Sequence, residues 1–162
     1  MTQDEIKQLL SIIPNTPAMN LFHISDGKGE ICSSLKELCK QRDYDYDLVT
    51  IGEENLQSLS QFGAKKISYE QARYNHRSKL YDFVFVMIDL ESVPDLEMLF
   101  KKLYMIIMNG GKLLILVDKN RQSINSLDIL LQECNYVAIN EIDISKTHYI
   151  LSATRLHGWD SH

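Results

Sequence analysis

Tyr136-Val137-Ala138-Ile139-Asn140-Glu141-Ile142 and Tyr149-Ile150-Leu151-Ser152-Ala153-Thr154-Arg155-Leu156 are two strand-like segments joined by the short stretch Asp143 to His148. A crossover between parallel strands consumes roughly a dozen residues or more. The joining stretch falls well short of that, so residues 136–142 and 149–156 are expected to pair as an antiparallel hairpin. That ending decides the architecture, because everything before it reads differently.

Upstream of the hairpin, strand and helix patterns alternate. Residues 112–117 read as a strand covered on both faces, apolar from Leu113 to Val117, and a helix capped by Ser123 and running to about Cys134 follows them. Residues 83–88 form a second such run. A strong helical period over 95–108 separates the two, with Asn109-Gly110-Gly111 as its stop. Nearer the N-terminus, Ile6, Leu9, Leu10 and Ile13 recur at helical spacing before Pro14 and Pro17. A short strand at 20–24 closes on Ser25-Asp26-Gly27-Lys28-Gly29. Ile31, Leu35, Leu38 and Cys39 mark a helix over 30–40. A second strand at 48–51 ends at Gly52, and Leu56, Leu59 and Phe62 mark a short helix stopped by Gly63. Residues 66–68 form a weak third strand, and 69–79 is a polar stretch without a clear period. Five β-α units followed by a hairpin predict a single α/β domain over 1–162. Its helix 3–13 precedes a core at about 20–156, with a short tail at 157–162.

The 162 residues suit one domain, which at this size buries about two thirds of its unfolded surface. A hydrophobic share of 44% beside 24% charged residues is ordinary for a globular chain. The net charge of −5, with Lys and Arg scattered, argues against a nucleic-acid duplex or an anionic membrane as partner. Cys32, Cys39 and Cys134 form no C-x-x-C pair, and Cys32 and Cys39 read as small apolar residues of one helix face. The acidic start Met1-Thr2-Gln3-Asp4-Glu5 is no signal peptide, and no apolar run is long enough for a bilayer span. A cytoplasmic location is expected. The histidines at 23, 76, 148, 157 and 162 lack paired metal spacing, so no metal site is expected.

This order of elements resembles the class I S-adenosylmethionine-dependent methyltransferases, whose seventh strand runs against the other six. The local match is Tyr81-Asp82-Phe83-Val84-Phe85-Val86, then a helix, then Met108-Asn109-Gly110-Gly111-Lys112-Leu113-Leu114-Ile115. These resemble the family's entries to its fourth and fifth strands. The resemblance implies a doubly wound, mostly parallel seven-stranded sheet and S-adenosylmethionine as cofactor. The family's first strand leads into [DE]-h-G-x-G-x-G. Here the chain reads His23-Ile24-Ser25-Asp26-Gly27-Lys28-Gly29, with Gly27 and Gly29 on the later glycines, Ser25 on the first, and His23 where the acid is expected. Glycine suits such a turn because it accepts positive φ and lets the backbone approach a ligand.

The resemblance further places Glu53 where the family holds both ribose hydroxyls, a task a carboxylate performs by accepting two hydrogen bonds. Read alone, Glu53 is a solvated loop carboxylate. Glu70 and Gln71 fall where the adenine would lie. Asp89 ends the fourth strand, where it is a substrate ligand, a base, or the start of a helix-capping loop, the last being preferred. Asp89-Leu90-Glu91-Ser92-Val93-Pro94 is not the N-P-P-[YF] of nitrogen-directed enzymes, so methylation of nucleic bases is disfavoured.

Other features carry less. Asp43-Tyr44-Asp45-Tyr46-Asp47 reads as a solvated approach to the second strand, because alternate strand residues point to opposite faces. Asn75-His76-Arg77 reads as an exposed loop. Trp159 either packs back on the domain or anchors a partner. Two functions follow. One is a methyltransferase acting on a small molecule or protein. The other is a domain that has lost catalysis and serves as a protein-binding or assembly module. A dinucleotide site on Gly27-x-Gly29 ranks last, since Cys32 occupies the third glycine position.

Overall fold

The computed structural model describes residues 2–27, 29–75, 78–120 and 126–156. The elements run α1 (Gln3–Ser11), β1 (Asn20–Ser25), α2 (Gly29–Arg42), β2 (Asp45–Thr50), α3 (Glu53–Leu59) and β3 (Lys65–Lys66). They continue with β4 (Tyr81–Met87), α4 (Leu96–Tyr104), β5 (Ile107–Asp118), α5 (Leu127–Glu133), β6 (Val137–Asp143) and β7 (His148–Thr154). Short 3-10 turns follow α3 and β4.

The strands form one seven-stranded sheet in the order β3-β2-β1-β4-β5-β7-β6. Pairs β2–β3, β1–β2, β1–β4 and β4–β5 are parallel, whereas β5–β7 and β6–β7 are antiparallel. Strand β7 alone therefore runs against the rest, and it sits between β5 and β6. The expected hairpin is present, as is the doubly wound order, which reverses direction between β1 and β4.

Alternation of side chains splits the core into two layers. Leu21, Phe83, Phe85, Met87, Leu114 and Ile150 face α1 and α2, against Ile6, Leu9, Ile31 and Leu35. Phe22, Ile24, Val84, Val86, Leu113 and Ile115 face α4 and α5, against Leu99, Phe100, Leu103 and Leu131. Each such side chain contributes about 1.5–3 kcal/mol on leaving water. Helix α1 is fixed by a capping box: Glu5 N donates to Thr2 Oγ1 at 3.2 Å and Thr2 N to Glu5 Oε1 at 2.9 Å. The second oxygen of Glu5 reaches the β6–β7 turn, accepting from Ser145 Oγ at 2.7 Å and lying 3.1 Å from His148 Nδ1.

Three boundaries depart from the sequence reading. Strand β2 begins at Asp45, not at Leu48, because the Asp-Tyr run is no solvated approach. Tyr44 and Tyr46 turn inward, while Asp45 and Asp47 sit 3.1 and 2.9 Å from Lys79 Nζ. Helix α4 ends at Tyr104, and Met108-Asn109-Gly110-Gly111 belongs to β5. These residues make a bulge in which the register jumps from Tyr81↔Ile107 to Phe83↔Lys112. Gly110 takes φ +85°, and a Cβ on Gly111 would come within 2.9 Å of Tyr81 O, so glycine is required for this approach rather than for stopping a helix. The third strand is Lys65–Lys66, one residue earlier than expected and only two residues long. The Ser123 cap, the His76-Arg77 pair and the Trp159 tail lie outside the described residues.

Candidate functional site

In an open α/β sheet the strand order reverses at a crevice outside the carboxyl ends of the strands. Here that point lies between β1 and β4, where Ser25 pairs with Met87 on one side and Thr50 on the other. Parallel pairing brings the residues that follow each strand to one rim. Ser25, Asp26 and Gly27 leave β1; Ile51, Gly52 and Glu53 leave β2; Asp89 follows β4.

The structure brings Asp26 and Asp89 together: Asp89 N donates to Asp26 Oδ2 at 3.1 Å. Tyr69, from the stretch that gave no period, joins them. Burial, reinforced by the charges of Asp26 and Asp89, pushes its phenol above the ordinary range. Lys102 Nζ fixes that stretch by donating to Tyr69 O at 3.0 Å and Gln71 O at 2.8 Å. Ser25 is fully buried, its carbonyl accepting from Thr50 Oγ1 at 2.7 Å. Among the described residues, Asp26 Oδ1 is a buried oxygen with no hydrogen-bond partner, and the buried Ser25 hydroxyl has only the weak Cys32 thiol group beside it. An unpartnered buried oxygen is rare, because desolvation of a polar group left unpaired costs about 1–3 kcal/mol.

Gly27 has φ +107°, and a Cβ there would meet Asn55 Oδ1 at 3.0 Å. Asn55 is itself held by donating from Nδ2 to Ile51 O at 2.7 Å. Gly29 opens α2 with the Phe62 ring 3.4 Å from where its Cβ would stand. Glycine is thus demanded at Gly27 by conformation and by space together.

The remaining expected residues are placed less directly. Glu53 opens α3, is 67% exposed at its side chain, and forms an ion pair with Lys66 of β3. Glu70 is exposed and turns onto Ser68, whose hydroxyl holds the carboxyl below its usual range. Gln71 Oε1 accepts from Ser68 N at 2.8 Å, so it braces its own loop. Asp89 Oδ1 accepts from Glu91 N at 3.2 Å and caps the 3-10 turn Leu90–Ser92. Of its three sequence-level roles, the cap is the one on display.

His23 does not act as the acid's stand-in at the rim. It is fully buried beneath α2, hydrogen-bonded through Nδ1 to the Tyr46 hydroxyl at 2.7 Å, with Cys32 Sγ at 4.0 Å and the Phe85 ring edge-on. Burial pushes its pKa down to about 3, so the ring is neutral at pH 7. Its Nε2 has no partner among the described residues. The sequence reading missed Tyr69 and Asn55, both brought in by tertiary contact. Thr50 carried a signal, a lone hydroxyl ending an apolar strand. Among the described residues, no group of three or more His, Cys, Asp or Glu could hold a metal. Nor is any helix there long and apolar enough to cross a membrane.

No family model matches this chain, and no curated protein matches it by sequence. Solved structures do match it. A SAM-dependent methyltransferase from Aquifex aeolicus superposes with a TM-score of 0.72 at 12% identity, over 93% of this chain and 89% of that one. A Thermotoga maritima SAM-dependent methyltransferase, described as a possible histamine N-methyltransferase, gives 0.68 at 14% identity, over 94% and 88%. A TehB-like SAM-dependent methyltransferase from Corynebacterium glutamicum gives 0.67 at 10% identity, over 94% and 87%. The chain has the class I methyltransferase fold. At these identities the likeness is one of fold.

Proposed function

We propose that this domain binds S-adenosylmethionine at the Ser25–Gly29 turn and transfers its methyl group to a small molecule or a protein side chain. The observation that carries the reading is a buried carboxylate oxygen, Asp26 Oδ1, which has no partner among the described residues and stands beside the buried Ser25 hydroxyl at the reversal point of the sheet. The residues present fit the cofactor there. Asp26 offers a carboxylate oxygen to an ammonium group, Ser25 a hydroxyl that donates or accepts, and Gly27 a turn without a side chain. The acid that the related motif places on the first strand is thereby supplied three residues later.

The cofactor contributes a methyl group on a sulfonium leaving group. The chain contributes alignment and charge. Asp26 and Asp89 lie together, so their negative field favours a cationic ligand over a neutral one. Glu53 opens α3 beside the rim, and its carboxylate can exchange Lys66 for a vicinal diol, because an exposed pair of this kind is worth only about 0–1 kcal/mol. Asp89 holds the 3-10 turn Leu90–Ser92 at the mouth where a substrate enters.

A second reading, a domain that binds a partner without catalysis, is favoured by His23, which fills the acid's position as a sealed neutral core group. Calorimetric titration with S-adenosylmethionine and S-adenosylhomocysteine separates the two. Micromolar binding, weakened about tenfold or more by Asp26→Asn, Gly27→Val or Glu53→Ala, is the expected result, tenfold being about 1.4 kcal/mol. Absence of heat and of thermal shift at millimolar ligand, from folded protein, overturns the cofactor reading and leaves the second.

A further inference from the structure

Strand β2 is paired with β1 along its whole length, Asp45–Thr50, but with β3 only at Val49 and Thr50. Along Asp45 to Leu48 the outer edge of the sheet therefore has no strand beside it among the described residues. The gap left by so short a β3 is a cavity of about 400 Å³, within the range of roughly 300–1,000 Å³ of small-molecule sites. Tyr44, Tyr46 and Phe62 are among the residues that line it, as are Lys36, Lys40 and Lys65. It lies along β2 and shares only Phe62 with the surroundings of the Ser25–Gly29 turn, the ring standing 3.4 Å from where a Gly29 Cβ would be.

The charges of this cavity are unbalanced. Lys36 and Lys40 are one helical turn apart on α2, so they share a face and repel each other. Among the described residues neither they nor Lys65 form an ion pair with a carboxylate, although the chain as a whole is acidic, at −5. Asp47, which also lines the cavity, is already engaged, 2.9 Å from Lys79 Nζ and accepting from Tyr81 OH at 2.6 Å. It does not neutralise the three lysines. The amide of Asn75, 5% exposed, adds a polar point to the lining.

We infer that this cavity is a second binding site, for a small organic anion with a flat aromatic body and a phosphate end. The lysines converge on the phosphate and relieve their mutual repulsion, while the tyrosine and phenylalanine rings take the aromatic body out of water. The site is independent of the cofactor reading, since none of Ser25, Asp26 or Glu53 lines it.

The test uses 1-naphthyl phosphate as probe, with no cofactor present, by calorimetry and by amide chemical-shift mapping on the full chain. The expected result is saturable binding, with shifts centred on Tyr46, Phe62 and Gly63. The double variant Lys36→Gln/Lys40→Gln weakens it about tenfold or more, and Lys65→Gln weakens it several-fold. The uncharged 1-naphthol and inorganic phosphate each bind at least about tenfold more weakly than the probe, because each supplies half of the contact. The substituted lysines are all exposed, so the variants keep the fold, which a thermal melt verifies. Lys7→Gln, on α1, leaves binding unchanged. Shifts centred on Ser25 to Gly27 overturn the inference. So does binding indifferent to all three lysines, or none at millimolar probe.

Discussion

Substituting Gly27 by alanine probes the rim of the sheet on two counts that can be separated. The first is conformational: at φ +107° an L-residue sits in a region open essentially to glycine, at a cost on the order of 1–3 kcal/mol. The second is spatial, because the new Cβ would stand 3.0 Å from Asn55 Oδ1, and that amide cannot retreat freely while Nδ2 holds Ile51 O at 2.7 Å. Gly52 is the internal control. It has φ +90° with nothing within 4 Å of a Cβ, so Gly52→Ala meets the conformational cost alone. We expect Gly52→Ala to lose about 2 kcal/mol and Gly27→Ala about 0.5–1 kcal/mol more, by urea denaturation at neutral pH. In an Asn55→Ala background that excess should disappear, giving a coupling energy of at least about 0.5 kcal/mol in a double-mutant cycle. Equal losses at both glycines with no coupling to Asn55 would refute the packing of the turn against α3, and with it the argument for glycine at this position.

Three further outcomes are expected. Glu5 has its carboxyl lowered to about 2, chiefly by the Thr2 backbone N–H and the Ser145 hydroxyl. A depressed folded-state pKa gives stability above the unfolded value of about 4.5, lost as pH falls toward 2. Glu5 is buried, but its replacement keeps an amide that can still accept from Thr2 N and Ser145; Glu5→Gln should cost about 1–2 kcal/mol at pH 7 and progressively less below pH 4 in paired denaturation curves. A gap that stays constant with pH counts against a charge-based role. His23→Glu, which puts an acid where the methyltransferase motif has one, should destabilise by roughly 3 kcal/mol or more and fail to improve any binding of the proposed cofactor, because it buries a carboxylate in a sealed layer. A stable variant with tighter binding would sink that account. Cys32, Cys39 and Cys134 are buried, and burial raises all three thiols, Cys39 to about 12. A thiol-specific chromogenic reagent should therefore label none of them quickly in the folded chain and all of them in urea; fast labelling of any one in native buffer refutes its burial.

The terminal hairpin and the central strands were legible because each rests on local facts: a short connection, or an unbroken apolar run such as Phe83 to Ile88. What escaped was set by distant residues. The acidic alternation Asp43 to Asp47 looks solvated until Lys79, far along the chain, neutralises Asp45 and Asp47 and lets Tyr44 and Tyr46 turn inward. Gly110-Gly111 reads as a helix stop, yet it is a bulge matched to the Tyr81 carbonyl, a constraint from the neighbouring strand. At the rim, the glycine turn could be found from its own residues. The pairing of Glu53 with Lys66, the arrival of Tyr69 and the enclosure of His23 by Tyr46 and Phe85 all depend on how the strands assemble.

The place of β7 bears on how the sheet is completed during folding. Because β7 lies between β5 and β6, the outer strand β6 emerges from the ribosome before the strand it must rest on. Until residues 148–154 arrive, the Lys112–Asp118 stretch of β5, rich in leucine and isoleucine, offers an unprotected flank to any other nascent chain. The same late insertion brings Ser145 and His148 to Glu5 on α1, so the two ends of the chain are joined in the step that removes the hazard. Assembly of this domain should thus be slow relative to chains built from neighbouring contacts, and most vulnerable to aggregation just before its last strand is inserted.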